Sequence, residues 1–486
     1  MTAATLLRIS GLRLLSLGVA ALFVAALPMV MPPEEYGRFN LALSILQTGA
    51  AVLLSWPNQA LLRFGREEFT ARGVLGEVLG TRLVLHAVLL VPALGLALGA
   101  AGQLADWANL DAATLRWTLA VGLPLLSLSD LGIFAAQAAG AFGGYGWAPL
   151  ALRLAQLAGL GLLAASGGGW HGLMAATLAG YGAGAWLAWR SIPGTALAGL
   201  RASPAMARRM LAYGRLQVLA ICSAFLLNWI DLWLLRAFLD MRAVGTYAWA
   251  YSVTLVAMTL LVPLAAVVAP HAIDRLRAGD HVAVRGQMAA VGSACVLLAA
   301  LLPAGCGVLA AALSLPGLGA YSEAVRPVLL LLAGTVFQLG SAAVEPVVYA
   351  DERAAPGMAG VAMTMVAVNA VADLVLIPVL GVAGPAVGTA AAYGVGMVLI
   401  WRRAGRLVGA GPSPLPFVAW GLSAVAAAGL LAMLPPLPAV MAGMGGSVLA
   451  MAVARGTGML KALQPLAAGM PGKLRHLIGW LAAEGA

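Results

Sequence analysis

The chain has 486 residues, of which 62% are hydrophobic and 9% are charged, and its mean hydropathy is +0.95. A soluble protein carries about 45–50% apolar and about 25% charged residues, and 28 basic with 18 acidic side chains cannot cover a water-facing surface of this size. The composition excludes soluble enzymes, soluble nucleic-acid binders and secreted disulfide scaffolds, and it indicates a polytopic membrane protein.

A membrane-spanning helix needs about 20 apolar residues to cross about 30 Å of hydrocarbon. Fourteen such runs follow one another along the chain, twelve of them before Arg402. The first run is too long for a signal peptide and is followed at once by a second span, so we interpret it as a helix. In chain order the predicted spans are 11–31, 40–62, 78–101, 116–139, 147–166, 171–189, 216–238, 244–269, 286–312, 326–349, 356–379, 382–401, 415–434 and 437–454.

The loop charges orient these spans. With the N-terminus inside, 23 of the 28 basic residues fall on the cytoplasmic side, as the positive-inside rule requires. A miscounted span would invert every later loop and destroy this bias. The sequence therefore predicts an even number of spans with both termini in the cytoplasm, and the net charge of +10 needs no nucleic acid to explain it. The five exceptions are Arg38, Arg116, Arg236, Arg242 and Arg326.

The longest inner connection divides the first twelve spans six and six. Counted from Arg190, this connection (190–215) carries five arginines, and no comparably long loop lies on the outer side. The predicted organisation is an N-terminal six-helix lobe at 1–190, a cytoplasmic linker at 191–215, a C-terminal six-helix lobe at 216–405, and two additional transmembrane helices with a cytoplasmic tail at 406–486.

The two lobes resemble each other at matching places. The segment YGRFNLA at 36–42 opens span 2, and VGTYAWA at 244–250 opens span 8. Near the end of each half, Thr177 and Tyr181 match Thr389 and Tyr393 at nearly the same offset. Chance similarity in an Ala/Gly/Leu-rich sequence is the alternative to duplication. Two copies with six spans each insert in the same orientation, which predicts a pseudo-two-fold axis along the membrane normal with a cavity between the lobes.

The same segments resemble a known superfamily. Residues 34–42 and 60–64, and in the second half 228–231 and 244–247, are similar to the multidrug/oligosaccharidyl-lipid/polysaccharide exporter superfamily, within it to the polysaccharide flippase branch. The resemblance covers roughly residues 1–405. It implies an all-α fold of two six-helix bundles around a central cavity, to which some members add two C-terminal helices.

The resemblance also implies a function without enzymatic activity. Members of this branch flip polyprenyl-diphosphate-linked sugars, such as O-antigen units of lipopolysaccharide or exopolysaccharide units, from the cytoplasmic to the periplasmic leaflet by alternating access. The implied location is the bacterial inner membrane. The expected partners are the lipid-linked oligosaccharide, membrane lipids and a coupling H⁺ or Na⁺, with no nucleic acid, cofactor or bound metal. We expect a monomer that can associate with glycan-assembly enzymes.

A flippase for such a substrate needs an aqueous, cationic path for the head group, and ionisable groups within spans are the first candidates. Arg153 lies several residues into span 5, where a guanidinium suits bidentate contact with a diphosphate; a snorkelling arginine is the alternative. Arg82 near the start of span 3 is a lesser candidate, and Pro57 is a candidate hinge point. Two further groups complete the predicted substrate-binding residues. Gln156 is a polar side chain in span 5, and a predicted cytoplasmic mouth that collects the anionic head group consists of Asn58, Gln59, Arg63 and Arg66.

Carboxylates within spans repel a diphosphate, so we assign them to proton or cation coupling, with a structural ion pair as the alternative. Asp231 is the strongest candidate because Asn228, one turn away, offers a second oxygen ligand. Asp130 in span 4, Glu345 in span 10 and Asp373 in span 11 belong to the same group.

Three other functions compete with the flippase. A cation-coupled multidrug exporter of the same superfamily would have the same topology, with a cavity dominated by carboxylates. A membrane glycan polymerase or glycosyltransferase would need a long external loop or a catalytic motif, and the sequence shows neither. A scaffold without transport activity is the third alternative, and the two-lobe repeat speaks against it.

Overall fold

The computed structural model describes residues 3–313, 319–349, 357–409, 413–463, 476, 479–480 and 482. Every regular element in this part of the chain is helical. Most of the predicted cytoplasmic tail, residues 464–475, lies outside the described residues. The α-helices are α1 (Ala3–Val30), α2 (Pro33–Ala50), α3 (Asn58–Arg72), α4 (Gly76–Ala108), α5 (Ala112–Ala138), α6 (Phe142–Ser166), α7 (Trp170–Ser191), α8 (Pro204–Phe238), α9 (Met241–Arg277), α10 (His281–Leu313), α11 (Val325–Tyr349), α12 (Gly357–Leu380), α13 (Gly384–Val408), α14 (Leu415–Leu431) and α15 (Pro436–Gly456).

The helices confirm an all-α polytopic membrane protein. Thirteen of the fourteen predicted spans correspond to one helix each, and the other corresponds to α2 and α3 together. By length and composition, ten stretches of the described residues can cross a membrane, and one of them, Gly357–Val408, contains both α12 and α13. Helices α8 and α9 extend well beyond the apolar runs that predicted them, because polar residues continue the helices past the spans.

Acidic side chains bind the amides at the starts of two helices, α5 and α4. Asp111 precedes α5, and its carboxylate accepts hydrogen bonds from the Thr114 hydroxyl and the Thr114 amide, both at 2.7 Å. These bonds lower the pKa of Asp111, so the carboxylate stays ionised at the helix N-terminus, where a negative charge is stabilising. At the start of α4 the Glu68 carboxylate does the same for the amides of Glu77 and Val78, each at 3.0 Å.

The region predicted as a linker is packed against α4. The Leu75 amide donates to the Ala196 carbonyl at 2.8 Å, and the Arg201 amide donates to the Gly76 carbonyl at 3.1 Å. A side chain at Gly76 or Gly80 would collide with the backbone of residues 198–201. The first part of the linker is therefore an ordered segment that packs along the first turns of α4.

The chain divides into two compact units. The main division falls within α9, after Gly245, rather than at 191–215, so nearly all of α8 and the first residues of α9 group with the helices before them. The two six-helix lobes and the axis between them stay predictions. Unit 1 is Met1–Arg236 with Asp240–Gly245, and unit 2 is Ala237–Leu239 with Thr246–Ala486.

Helix α5 lies at the centre of unit 1, where it packs against α2, α3, α4, α6 and α7. Where α3, α4, α5 and the linker meet, Leu61, Leu79, Leu131 and Ala196 form a fully buried apolar cluster.

In unit 2, α10 packs against α11, α14 and α15, and α13 packs against α11 and α12. Small residues permit these close approaches, as is usual between membrane helices. A Cβ atom at Gly334 of α11 would lie 3.0 Å from the Ala390 Cβ of α13.

Two glycines at matching positions of the sequence repeat touch each other. Gly37 and Gly245 are each the fifth residue of their helices, α2 and α9. A Cβ atom at Gly37 would lie 3.0 Å from the Gly245 nitrogen, and one at Gly245 would lie 2.8 Å from the Gly37 nitrogen. The two helix starts therefore cross with backbone against backbone.

We expect Gly245→Ala to lower the stability of the protein by about 1–3 kcal/mol, because the new methyl group meets backbone atoms that cannot move aside. Thermal unfolding in detergent measures the effect. The control is Gly99→Ala in α4, where nothing lies within 4 Å of the added methyl group and the substitution gains helix propensity alone. Equal melting temperatures for the two variants would contradict the contact.

Candidate functional site

The second predicted span is interrupted. Helix α2 ends at Ala50, a π-helical turn covers Ala51–Ser55, and α3 begins at Asn58 after Pro57. Pro57 has no amide hydrogen, so the Leu53 carbonyl four residues earlier has no helical donor. The turn at 56–57 also interrupts the helix next to the Leu54 carbonyl. Inside a membrane the carbonyl groups freed by such a break need partners from neighbouring helices.

Arg82 of α4 is one of these partners. Its side chain is fully buried, with 0% of its surface exposed. Its Nη2 donates to the Leu54 carbonyl of the π-helical turn at 2.7 Å, and its Nε donates to the Asn58 Oδ1 at 3.0 Å. Both acceptors are neutral, and within the described residues no carboxylate lies within ion-pair distance of Arg82. The Arg82 guanidinium is thus buried in the interior of unit 1, and no carboxylate of the described residues forms an ion pair with it.

Asp130 of α5 contacts the next residue of the same turn. The Ser55 hydroxyl donates to the Asp130 carboxylate at 3.1 Å. Arg82 and Asp130 therefore reach adjacent residues, Leu54 and Ser55, from two different helices. One turn after Arg82, the ring of His86 lies 3.5 Å from the hydroxyl of Ser127, also on α5. We call Arg82, Asn58, Ser55 and Asp130 the break cluster.

Arg153 lies in α6 and is half-buried. Its Nη1 donates to the Gln156 Oε1 at 2.9 Å, and Gln156 is buried beside Thr177 of α7, with 3.4 Å between their polar atoms. The structure thus brings together Arg153 and Gln156, two of the predicted substrate-binding residues. Tyr181, one turn after Thr177, accepts a hydrogen bond from Gln47 of α2 at 2.9 Å and lies within electrostatic reach of both Arg153 and Asp130.

The predicted mouth is split by the structure. Asn58 is buried against Arg82, whereas Arg63 and Arg66, further along α3, are exposed, and Gln59 is half-buried. Arg63 lies 3.7 Å from Glu67. Arg66 donates to the Ala138 carbonyl at the end of α5, at 3.4 Å. Asn58 therefore lies in the interior, apart from the exposed side chains of Arg63 and Arg66, and the binding role of the four residues stays a prediction.

The exposed arginine Arg63 belongs to a larger surface group. Arg209 of α8 lies 3.3 Å from the same Glu67 carboxylate, and its guanidinium lies 4.2 Å above the ring of Phe64. Arg63 lies 5.1 Å from the ring of Tyr213, which meets Phe64 edge-on. Two cations, one anion and two aromatic rings thus join α3 to α8.

The predicted coupling carboxylates of unit 2 lie in different surroundings. Asp373 and Asn369 are fully buried, one turn apart on α12. Gly388 of α13 faces the Asp373 carboxylate, which would collide with any side chain there. Glu345 of α11 is half-buried and interacts with the Tyr349 hydroxyl one turn later.

Asp231 and Asn228, both on α8, differ in burial. Asp231 is 2% exposed, whereas Asn228 is exposed. Nearby on the same helix, the Trp233 indole donates to the Ser44 hydroxyl of α2 at 2.9 Å. The coupling role of Asp231 and Asn228 stays a prediction.

Sequence reasoning ranked Arg82 below Arg153, yet Arg82 is the more deeply buried of the two. A signal was present, because Arg82 lies six residues after the start of α4, about 9 Å into the helix, where an arginine is costly. Its partner Asn58 is 24 residues away in sequence. Only the fold brings the two together.

The fold and these interior groups define the class: an all-α polytopic membrane protein whose spans carry buried charges on neutral partners. The particular fold is similar to that of the lipid II flippase MurJ in its inward closed conformation, with a TM-score of 0.62 and 12% sequence identity over 93% of this chain and 98% of that chain. At this level of sequence identity the similarity is one of fold alone.

A eukaryotic MATE transporter, AtDTX14, is similar with a TM-score of 0.46 and 14% identity over 86% of this chain and 95% of that chain. No family model matches the chain. No curated protein matches its sequence.

We expect Gly388→Ala to destabilise the protein by about 1–3 kcal/mol, because the methyl group overlaps the Asp373 carboxylate. In an Asp373→Ala background the same change should cost less, since the colliding group is gone. Thermal unfolding of the two single variants and the double variant measures a coupling of about 0.5–3 kcal/mol. The control is Gly360→Ala in α12, where the added methyl group meets open space. Additive effects in the double variant would show that the two residues do not touch.

Proposed function

We propose that this chain is a flippase for a polyprenyl-diphosphate-linked oligosaccharide, such as an O-antigen or exopolysaccharide unit, which it moves from the cytoplasmic to the periplasmic leaflet by alternating access. One observation carries the proposal. Arg82 and Arg153 lie within helices of unit 1, and each hydrogen-bonds to neutral groups. Two guanidinium groups without carboxylate partners in the described residues are available to an anionic substrate.

The chemistry of the substrate explains why this matters. A diphosphate that enters hydrocarbon needs cationic, hydrogen-bonding partners, and guanidinium groups supply both. Gln156, Gln47 and Tyr181 add neutral polar atoms on α6, α2 and α7, of the kind that bind sugar hydroxyls. The similarity in fold to MurJ, a lipid flippase, supports the same class of substrate.

A lipid substrate also has a tail that must stay in apolar surroundings. Unit 2 contains an apolar cavity of about 480 Å³ between α11, α13 and α14. Val387, Gly394 and Val398 line it along one face of α13, and Arg402 lies at its end. An apolar cavity of this kind fits the lipid chain of the substrate, which would lie along α13.

The exposed arginines suit the entry side of this path. In the proposed topology Arg63 and Arg66 lie at the cytoplasmic surface of the inner membrane, where an anionic head group is first collected. The protein would act as a monomer beside the enzymes that assemble the glycan, with membrane lipids as its other partners.

The buried carboxylates favour a second candidate, a cation-coupled multidrug exporter. Asp373 and Asn369 are fully buried in unit 2, and Asp130 lies in the interior of unit 1. In the flippase, these groups with Asp231, Asn228 and Glu345 would bind a coupling H⁺ or Na⁺. In the exporter they would face a cationic drug directly. Robust drug efflux by vesicles that flip no lipid-linked sugar would decide for the exporter.

We expect Arg153→Ala to slow flipping of a lipid-linked oligosaccharide in proteoliposomes roughly tenfold to a hundredfold, the effect of losing one hydrogen bond to a charged group. Arg153→Lys should retain more activity, because it keeps the charge but loses the planar fork. Arg190→Ala, an exposed arginine at the end of α7, is the matched control and should flip at the normal rate. Equal activity of the Ala and Lys variants would contradict a substrate-binding role and would indicate that Arg153 only anchors the helix at the membrane interface.

The membrane potential provides an independent test. Moving one negative charge outward from an inside-negative compartment releases about 2.3 kcal/mol per 100 mV, so a potassium diffusion potential of that sign should accelerate outward flipping, and the opposite sign should slow it. The flipping rate is measured in proteoliposomes at both signs. Indifference to the potential at constant pH and sodium would show that a co-transported cation cancels the substrate charge.

A further inference from the structure

The break in the second span is held from two sides by charged side chains. Arg82 donates to the carbonyl of Leu54, and Asp130 accepts from the hydroxyl of Ser55, the very next residue. Arg82 also donates to Asn58, the first residue of α3. One guanidinium therefore bonds to both ends of the break, the π-helical turn before Pro57 and the helix after it.

In an uninterrupted α-helix the Leu54 carbonyl would accept from the Asn58 amide. Here its acceptor site is filled by Arg82, and the Asn58 side chain is bound by the same guanidinium. The local geometry of residues 51–58 thus depends on where the Arg82 side chain points. Near the other end of α3, the Glu68 carboxylate accepts from amides at the start of α4. Helix α3 is therefore bonded to α4 near both of its ends, through Asn58 and through Glu68.

We propose that Arg82 is the positioning residue of the proposed transport path: it holds the break in α2–α3 by bonding to Leu54 and Asn58, and an anionic head group releases the break by taking over the guanidinium. This rests on the proposed function for the identity of the anion, a diphosphate. The break itself is a property of unit 1 alone.

The physical basis is a competition between acceptors. A carbonyl and an amide oxygen are neutral, whereas a diphosphate oxygen is charged and forms a shorter and stronger bond with a guanidinium. When the guanidinium turns to the diphosphate, the Leu54 carbonyl loses its donor and residues 51–58 rearrange. The substrate's own charge is then what changes the shape of the span.

Hydrogen–deuterium exchange of the full chain in detergent or nanodiscs measures the state of residues 51–62. In Arg82→Gln, exchange of this segment should be at least about tenfold faster, the factor for losing a hydrogen bond to a charged group, while α6 and α7 stay unchanged as internal reference. In the wild-type chain, farnesyl diphosphate should accelerate the same segment, and the neutral alcohol farnesol should not. A side chain with a merely structural role would not respond to the anion.

Asn58→Asp provides a variant that does not lose a contact. It places a carboxylate next to the Arg82 Nε, so the break should be held more tightly, with slower exchange and no response to farnesyl diphosphate. The proposal is overturned if Arg82→Gln leaves exchange at 51–62 unchanged, or if farnesyl diphosphate and farnesol act alike on the wild-type chain. A chain that responds to the diphosphate in this way, but flips no lipid-linked sugar, would refute the proposed function and leave the role of Arg82 intact.

Discussion

The burial of the Arg82 guanidinium is the constraint on which the interior of unit 1 depends. Moving such a charge out of water is expensive unless polar groups replace its hydration. The replacement comes from the broken second span, where the Leu54 carbonyl and the Asn58 side chain both accept from Arg82. The break and the charge therefore require each other: the freed carbonyl needs a donor, and the guanidinium needs an acceptor.

The two units place their charges differently. In unit 1 the described residues within the spans include two arginines, Arg82 and Arg153, as well as carboxylates. In unit 2 the candidate groups at depth are the carboxylates Asp373 and Glu345, and Arg402 is exposed near the end of α13. The proposed path for an anionic head group therefore rests on the arginines of unit 1, whereas the proposed cation-binding carboxylates occur in both units.

The spans were predictable because their cause is local: about 20 apolar residues in sequence must cross the hydrocarbon whatever else the chain does. Arg153 and Gln156 were also within reach, since three residues of one helix separate them. The break cluster was not, because Arg82 and Asn58 meet only through the packing of α3 against α4. Pro57 marked a hinge point in the sequence, but it did not reveal which side chain binds the freed carbonyl. The region at 191–215 was predicted only as a linker for a related reason. Two of its bonds near the start of α4 join backbone atoms, which carry no sequence signature, and the contact of Arg201 with Glu77 is made only through the fold.

Arg82 and Asp130 have opposite charges and reach adjacent residues, yet they form no ion pair in the structure. A direct pair between them would neutralise both charges and leave nothing for a substrate to bind. The π-helical turn prevents this, because its Leu54 carbonyl takes the cation and its Ser55 hydroxyl takes the anion. Each charged group hydrogen-bonds to neutral partners, which an ionic ligand would displace in the proposed mechanism. A stable but exchangeable arrangement of this kind is what a transport path requires, since a group that binds its resting partner too tightly cannot take up the substrate.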